Sequence, residues 1–345
     1  MSRTLDVNYV QKHIAVLNIQ RPFSVACDAD NGNFLIMHDG TQKRPSCINC
    51  INPNCKNMFA LDIDSSVFPE MSHDPNRAVC PVNAIHSDAD SIVIDDACIG
   101  CGLCAERCPF GAIYIQDGKA HVSVGDQDIC RMFPVNNNTK KIQKDFLKKH
   151  FPSYKTGILI AETDSVMQDI YQKIRLLNQY NQNLLVRNLL ICNGSQAALS
   201  RHGNVYMRMD GFYCTGEQYG VVEIETGLDM LQVSRALLDD VAVLQSRHGI
   251  SMKSNHPLAV CLGMANKRTD YWQVIKDIRI VTGLSINTVT IGMLLLTLWN
   301  LEEISDYDRF YIDVDDPSNR KEMETLIERQ IQISDGFLGV LECGK

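Results

Sequence analysis

Fourteen cysteines lie in a chain of 345 residues, and eight of them are spaced in a way that does chemistry. Cys98-Ile-Gly-Cys101-Gly-Leu-Cys104-Ala-Glu-Arg-Cys108-Pro109 sets three thiolates with two residues between neighbours, then a fourth three residues on, followed by proline. Three thiolates so spaced wrap one corner of an iron–sulfur cube, and the fourth is carried away to ligate a neighbouring cluster. Sulfur for that neighbour lies upstream, in Cys47-Ile-Asn-Cys50, Cys55 and Cys80-Pro81. The bland alternatives are a zinc site, which uses paired cysteines rather than a three-plus-one set closed by Cys-Pro, or thiols buried as small hydrophobes. Gly100, Gly102 and Ala105 also spell a dinucleotide-loop spacing, but no strand precedes them and no helix-long pattern follows.

The two halves echo each other: Cys80-Pro-Val-Asn-Ala-Ile85 and Cys108-Pro-Phe-Gly-Ala-Ile113 share a frame 28 residues apart. Over about residues 40 to 125 the chain resembles the bacterial two-cluster 4Fe-4S ferredoxins. The resemblance implies that Cys98, Cys101, Cys104 and Cys80 hold one cluster and that Cys47, Cys50, Cys55 and Cys108 hold the other. The first motif departs from the family pattern, with four residues rather than two between Cys50 and Cys55, and 24 rather than three between Cys55 and Cys80. A degraded or three-iron cluster at the second set, or Cys27 or Cys130 as a substitute ligand, stays open. Cys192, Cys214, Cys261 and Cys343 read as small buried hydrophobes.

Hydrophobic residues make up 45% of the chain, enough for a sizeable core in two or three domains. Cluster ligands must be reduced thiols, and no apolar segment opens the sequence, so a reducing cytoplasm is expected. The most apolar run, Ile286 to Trp299, is shorter than a bilayer span and contains Asn287, Thr288 and Thr290, so no membrane contact is expected. Net charge is −8, distributed as −6 over residues 1–134, +5 over 135–155 and −7 over 156–345. That excludes a strongly basic nucleic-acid domain, although the lysines at 140, 141, 144, 148, 149 and 155 can still meet phosphates. As a solvated linker helix they need no partner.

Residues 1–46 read as an N-terminal extension, in which Val7 to Ile19 alternates weakly and Asn33 to His38 is a strand ending at Asp39-Gly40. The dicluster domain spans 47–134 and includes an Asp-, Ser- and Pro-rich insertion between Cys55 and Cys80. His73 and His86 near it are expected to be exposed or to contact the ligands rather than to ligate. A basic linker covers 135–155. The second domain, 156–300, opens with a strand at Gly157 to Ala161 and a helix over most of 164–190 capped by Asp164 or Ser165. Asn204 to Tyr213 and Tyr219 to Thr226 alternate as strands joined by a hairpin at Cys214 to Gln218. A helix at 228–245, a strand at 257–262, a helix at 271–281 and an apolar element at 288–298 follow. A C-terminal extension, 301–345, contains Arg309 to Val314, a helix at 320–330 and a strand at 337–341.

Asp210 and the pair Glu223 and Glu225 form a second constellation. Residues two apart on a strand face one side, so both glutamates can meet Asp210 across the hairpin. The order helix, hairpin, helix, strand resembles the core of the PD-(D/E)xK nuclease superfamily. That resemblance implies an α+β chain: a ferredoxin-like dicluster domain followed by an α/β restriction-endonuclease-like domain with a central mixed sheet. It implies catalytic roles for Asp210, Glu223, Glu225 and Glu162, with Mg²⁺ or Mn²⁺ on Asp210, Glu223 and the Ile224 carbonyl. Glu225 stands where lysine is commonest in the family. Gln232 and Arg235, three apart on the next helix, can point into the same cleft. Alternatively the three acids decorate the solvent face of an ordinary hairpin.

Three functions follow. One is a metal-dependent DNA endonuclease in restriction, defence or repair, with clusters that are structural or redox-sensing and with DNA and a helicase or specificity protein as partners. Another is the electron-transfer subunit of an oxidoreductase, whose second domain docks a redox partner protein. The third is a catalytically inert nucleic-acid-binding redox sensor.

Overall fold

The computed structural model describes residues 23–28, 33–38, 55–56, 74–88, 91–107, 113–116, 119–122, 163–204, 207–216, 218–227, 229–265, 269–299 and 303–313. Glu162, Cys47, Cys50 and Cys108 lie outside the described residues, as do the elements expected at Val7 to Ile19, Gly157 to Ala161, 320–330 and 337–341. Two compact units divide the chain, one built from 1–57 and 78–159, the other from 58–77 and 160–345.

The first unit is made of antiparallel hairpins. Strand β1 (Phe23–Asp28) pairs with β2 (Asn33–His38), β3 (Ile85–Asp88) with β4 (Ser91–Ile94), and β5 (Ile113–Gln116) with β6 (Lys119–Val122). Ile85 faces Ile94 across one pair and Ile113 faces Val122 across another. Each strand of the second of these hairpins therefore lies 28 residues after its counterpart, so the sequence echo extends from the Cys-Pro frame into matching structure. Asn83 adopts φ 54°, a left-handed conformation that Asn and Gly tolerate best; its counterpart in the frame is Gly111. The five-residue helix α1 (Leu103–Arg107) turns Leu103 and Ala105 fully inward, and Val79 and Ala84 are equally buried.

The second unit is a five-stranded mixed sheet in the order β11-β10-β9-β8-β7. Strands β7 (Gln196–Leu199), β8 (Gly211–Thr215) and β9 (Gln218–Glu225) are antiparallel, while β10 (Leu258–Cys261) and β11 (Asn287–Thr290) run parallel to β9. Parallel neighbours need crossovers, which helices α4 (Met230–His248) and α5 (Asp270–Thr282) supply. Helices on the faces account for the complete burial of β10 and β11. Two helices, α2 (Thr163–Arg175) and α3 (Gln179–Cys192), precede the sheet, and α6 (Ile291–Trp299), buried along its whole length, packs on α3. Among the described residues no helix is long and apolar enough to cross a membrane.

Several expected elements differ. The single helix over 164–190 is two, because Asn178 takes an extended conformation and its side chain accepts the Asn181 N–H at 2.8 Å, restarting the helix. Removing that cap, Asn178→Ala, is expected to destabilise the second unit by about 1 kcal/mol in denaturant titrations. Helix α2 begins at Thr163, so Asp164 and Ser165 lie inside it. The strand expected from Asn204 starts only at Gly211, since Asn204 N–H closes a turn onto Arg201 O. The apolar element at 288–298 changes type midway: β-branched residues of β11 favour strand, and the Leu-rich run after them is α6. In the tail, residues 308–310 form a single 3₁₀ turn. The insertion expected within 47–134 contributes to the second unit, where Asp74 N–H donates to Leu199 O at 2.8 Å and Asn76 Nδ2 to the Tyr180 hydroxyl at 2.6 Å.

Candidate functional site

Five cysteines are neighbours in the first unit. Gly100 and Gly102, both with left-handed φ (76° and 83°), bend the chain between Cys98, Cys101 and Cys104, and Cys80 enters from the turn before β3. Cys55, Cys101 and Cys104 are buried, and all five sulfurs are free of disulfides. Burial pushes the Cys104 thiol far up, and the neighbouring Cys101, Cys55, Cys98 and Cys80 push it further. Burial also raises the Cys80 thiol, opposed by the Ala84 and Val82 amides. Ala84 N–H donates to Cys80 Sγ at 3.2 Å and Gly100 N–H to Cys98 Sγ at 3.4 Å. Buried thiols with amide donors suit iron bound as thiolate: the metal supplies the positive charge that burial otherwise denies. Among the described residues no three His, Cys, Asp or Glu side chains converge on a single ion. His86 is no ligand; its Nε2 meets Asp95 Oδ2 at 2.6 Å on the surface, and that bond holds the Asp95 carboxyl below its ordinary range.

The carboxylates of the second unit also come together. Asp210, at the entrance to β8, accepts Ile224 N–H on Oδ2 and Asn183 Nδ2 on Oδ1, each at 2.9 Å. Burial raises its carboxyl, those two bonds lower it, and Glu225 raises it again. Glu223 and Glu225 share the less buried side of β9, as strand parity requires. The Glu223 carboxyl is pushed well up by burial, then by Asp210 and by Asp240, whose carboxyl faces it. Glu225 turns back to accept Gly227 N–H at 2.5 Å. Ile224 reaches Asp210 through its N–H. Gln182 anchors the neighbourhood, donating to Ile174 O and accepting from Thr226 Oγ1.

Asp240 and Asn183 join the cluster without having been singled out in the sequence. Asp240 is 1% exposed and lies on α4 in the stripe of Val233, Leu237, Val241 and Leu244; a carboxylate at a buried period position was the available signal. Burial raises it, while the Glu223 hydrogen bond lowers it. Gln232 and Arg235 instead point to solvent. Two acceptors at the cluster, Asn183 Oδ1 and Asp240 Oδ2, are buried with no hydrogen-bond partner. An oxygen-only donor set with unsatisfied acceptors fits a hard divalent cation.

A family model of 4Fe-4S binding domains matches residues 91–114. The chain is 35% identical over 121 residues to an uncharacterized ferredoxin of Methanocaldococcus jannaschii, a match covering 34% of this chain and 65% of that protein. Over 61 residues it is 43% identical to the formate dehydrogenase iron–sulfur subunit of Wolinella succinogenes, covering 17% of this chain and 30% of that subunit. The chain thus spans less than two thirds of the length of these relatives. Restriction endonuclease FokI aligns at 10% identity over 55% of this chain and 35% of its own, with a TM-score of 0.29, too low to establish a shared fold. Spacing, sulfur convergence and kinship agree for the first unit: it carries a ferredoxin-type 4Fe-4S binding domain.

Proposed function

We propose that the chain is an iron–sulfur electron-transfer protein of the two-cluster type. Cys98, Cys101, Cys104 and Cys80 hold one 4Fe-4S cluster, and Cys47, Cys50, Cys55 and Cys108 hold the other. The observation that carries this reading is the neighbourhood of Cys55, Cys80, Cys98, Cys101 and Cys104 beside two hairpins repeated at 28 residues. The clusters supply one-electron carriers; the chain excludes water, and the amides of Ala84 and Gly100 stabilise negative charge on sulfur, which tunes the potential. The second unit docks the protein that gives or takes the electron, as expected of relatives that are oxidoreductase subunits. Anaerobically purified protein is expected to contain about eight irons per chain, to be reduced by a low-potential donor and to pass electrons on in stopped-flow mixing. Colourless protein, or reduction too slow to support turnover, overturns the reading.

A second reading has its own support in the Asp210 and Asp240 carboxyls, which both act on Glu223, and in the unpaired acceptors beside them. Helix, three antiparallel strands, helix and parallel strand follow one another as in the PD-(D/E)xK nucleases. On this reading Asp210 and Glu223 hold Mg²⁺ or Mn²⁺, an ion commonly bound by one or two carboxylates with water and substrate phosphate completing the shell. Bound there, the ion lowers the pKa of water and neutralises charge on a DNA phosphate. Asn183 and Ile224 orient Asp210, and Glu162 is a further acid of the site.

A further inference from the structure

The starting ends of β10 and β11 border a cavity of about 420 Å³ that neither reading uses. Asn255, on its wall, pairs with Tyr219, four residues before Glu223 on β9, or roughly 13 Å along the strand. His256 lines the cavity from a fixed backbone. A Cβ on Gly220 would sit 2.0 Å from the His256 carbonyl oxygen, so only glycine lets the two chains approach. His256 N–H donates to Tyr219 O at 3.0 Å, and the Tyr213 hydroxyl donates to His256 O at 2.8 Å. The ring sets Nδ1 2.8 Å from Asp308 Oδ1. Asn287 Nδ2 donates to the same oxygen at 3.0 Å, and Gln218 Nε2 to Oδ2 at 3.4 Å, so the carboxylate is itself held in place. A carboxylate on Nδ1 keeps the proton there and leaves Nε2 as the acceptor. Nε2 has no hydrogen-bond partner among the described residues.

Ser285 completes the group. Strands β10 and β11 are parallel with Leu258 opposite Asn287, and the Asn287 N–H donates to Pro257 O at 2.9 Å. Carried back two residues, that register sets Ser285 opposite His256, on neighbouring chains about 4.8 Å apart. Residues two apart share a face, so Ser285 lies on the side of Asn287. That is also the side of His256, because Asn287 and His256 reach the same Asp308 oxygen. Both Ser285 and His256 line the cavity. Pro257 has no N–H to offer the facing chain, and the ladder ends there. The Ser285 hydroxyl and N–H have no hydrogen-bond partner among the described residues.

We propose that Ser285, His256 and Asp308 form a nucleophilic triad that hydrolyses small carboxylic esters in this cavity. A hydroxyl beside an imidazole that a carboxylate orients is the arrangement by which serine attacks an acyl group, whatever the order along the chain. The Ser285 oxygen bonds to the ester carbonyl carbon while its proton passes to His256 Nε2, and the Ser285 N–H donates to the oxyanion. The tetrahedral species collapses by breaking the bond to the alcohol oxygen, which takes the proton from His256. Water then gives a proton to His256 as its oxygen attacks the acyl carbon. The acid departs, and Ser285 regains the proton. Met252 and Leu284 on the wall, with a volume in the range of small-molecule sites, suit a short apolar acyl group.

Full-length, anaerobically prepared protein, treated with p-nitrophenyl acetate and with an alkyl fluorophosphonate in the presence of EDTA, tests this. Ester hydrolysis is expected to open with a burst of about one nitrophenolate per chain, and the fluorophosphonate adduct to map to Ser285 by peptide mass spectrometry. Ser285→Ala and His256→Gln are each expected to lower kcat roughly 10³-fold or more, and the double variant to fall no further than either alone. Asp308→Asn is expected to lower kcat on the same scale. Because Asp308 also holds Asn287 and Gln218, the deciding variant is Ser285→Ala, which removes a hydroxyl that bonds nothing in the fold and should melt with the wild type. No adduct on Ser285, hydrolysis that survives Ser285→Ala, or losses that add in the double variant overturn the triad. None of these outcomes bears on the clusters or on Asp210.

Discussion

A Cys104→Ala chain purified without oxygen is expected to hold well under four irons where about eight are expected of the wild type, because its first unit, which contains both ligand sets, is expected to lose its fold. Cys104 is buried, and Cys101, Cys55, Cys98 and Cys80 are near enough to raise its thiol further. Burial opposes the thiolate form, so ligation and folding are coupled, and a ligand set that loses one member forfeits binding energy that for structural metal sites is on the order of 10 kcal/mol. That equals or exceeds the net stability of an ordinary domain. Limited proteolysis is therefore expected to cut the variant between residues 78 and 122 while 163–313 stays resistant. Iron and sulfide assays give the stoichiometry. Cys261→Ala, a buried thiol of the second unit, is the control and should leave iron unchanged. Full iron content in the Cys104 variant would remove it from the ligand set.

The second large effect concerns Glu223. Glu223→Gln keeps the shape of the side chain and removes a carboxyl that burial, Asp210 and Asp240 all push upward. A carboxyl whose folded-state pKa stands above its unfolded value favours the fold fully only below the ordinary carboxylate range, and this contribution is lost as pH rises toward the raised folded value. Without divalent cations the wild type should therefore lose stability through neutral and into alkaline pH, and the variant should lose less. At neutral pH the glutamine chain is expected to melt about 2–4 °C higher, equivalent to about 1 kcal/mol for a unit of this size. Mg²⁺ or Mn²⁺ should reverse the order, raising the melting point of the wild type alone. Any cleavage of plasmid or single-stranded DNA should fall roughly 10³-fold in the variant, the scale of losing several kcal/mol of metal-assisted stabilisation. Asp210→Ala is the harsher test, since it also strips the acceptor from Ile224 N–H and Asn183. A glutamine variant that gains as much from Mg²⁺ as the wild type contradicts a metal role for Glu223.

The sulfur lobe was legible because ligand spacing is a local property of the backbone. Cys98, Cys101 and Cys104 are brought together by one glycine-hinged turn, and the 28-residue frame carried that local geometry to a second place. Strand parity was equally local and placed Glu223 beside Glu225. Asp240 and Asn183 were hidden because their roles are tertiary: an aspartate among Leu237 and Val241 acquires meaning only once α4 lies over β9. The break at Asn178 was masked by apolar residues that keep helical spacing on both sides of it. The segment before Cys80 was read with its sequence neighbours, yet its hydrogen bonds reach Tyr180 and Leu199, more than a hundred residues away.

That last arrangement has a consequence for biosynthesis. Asp74 leaves the ribosome 125 residues ahead of Leu199, which at about 5–20 residues per second is a wait of roughly 6 to 25 seconds. Throughout that interval Asp74 and Asn76 have no finished second unit to join, while the cysteines on either side are already available to iron. Cluster insertion on the nascent chain would close a loop around this unfinished segment, so the timing of iron delivery bears on whether the second unit assembles.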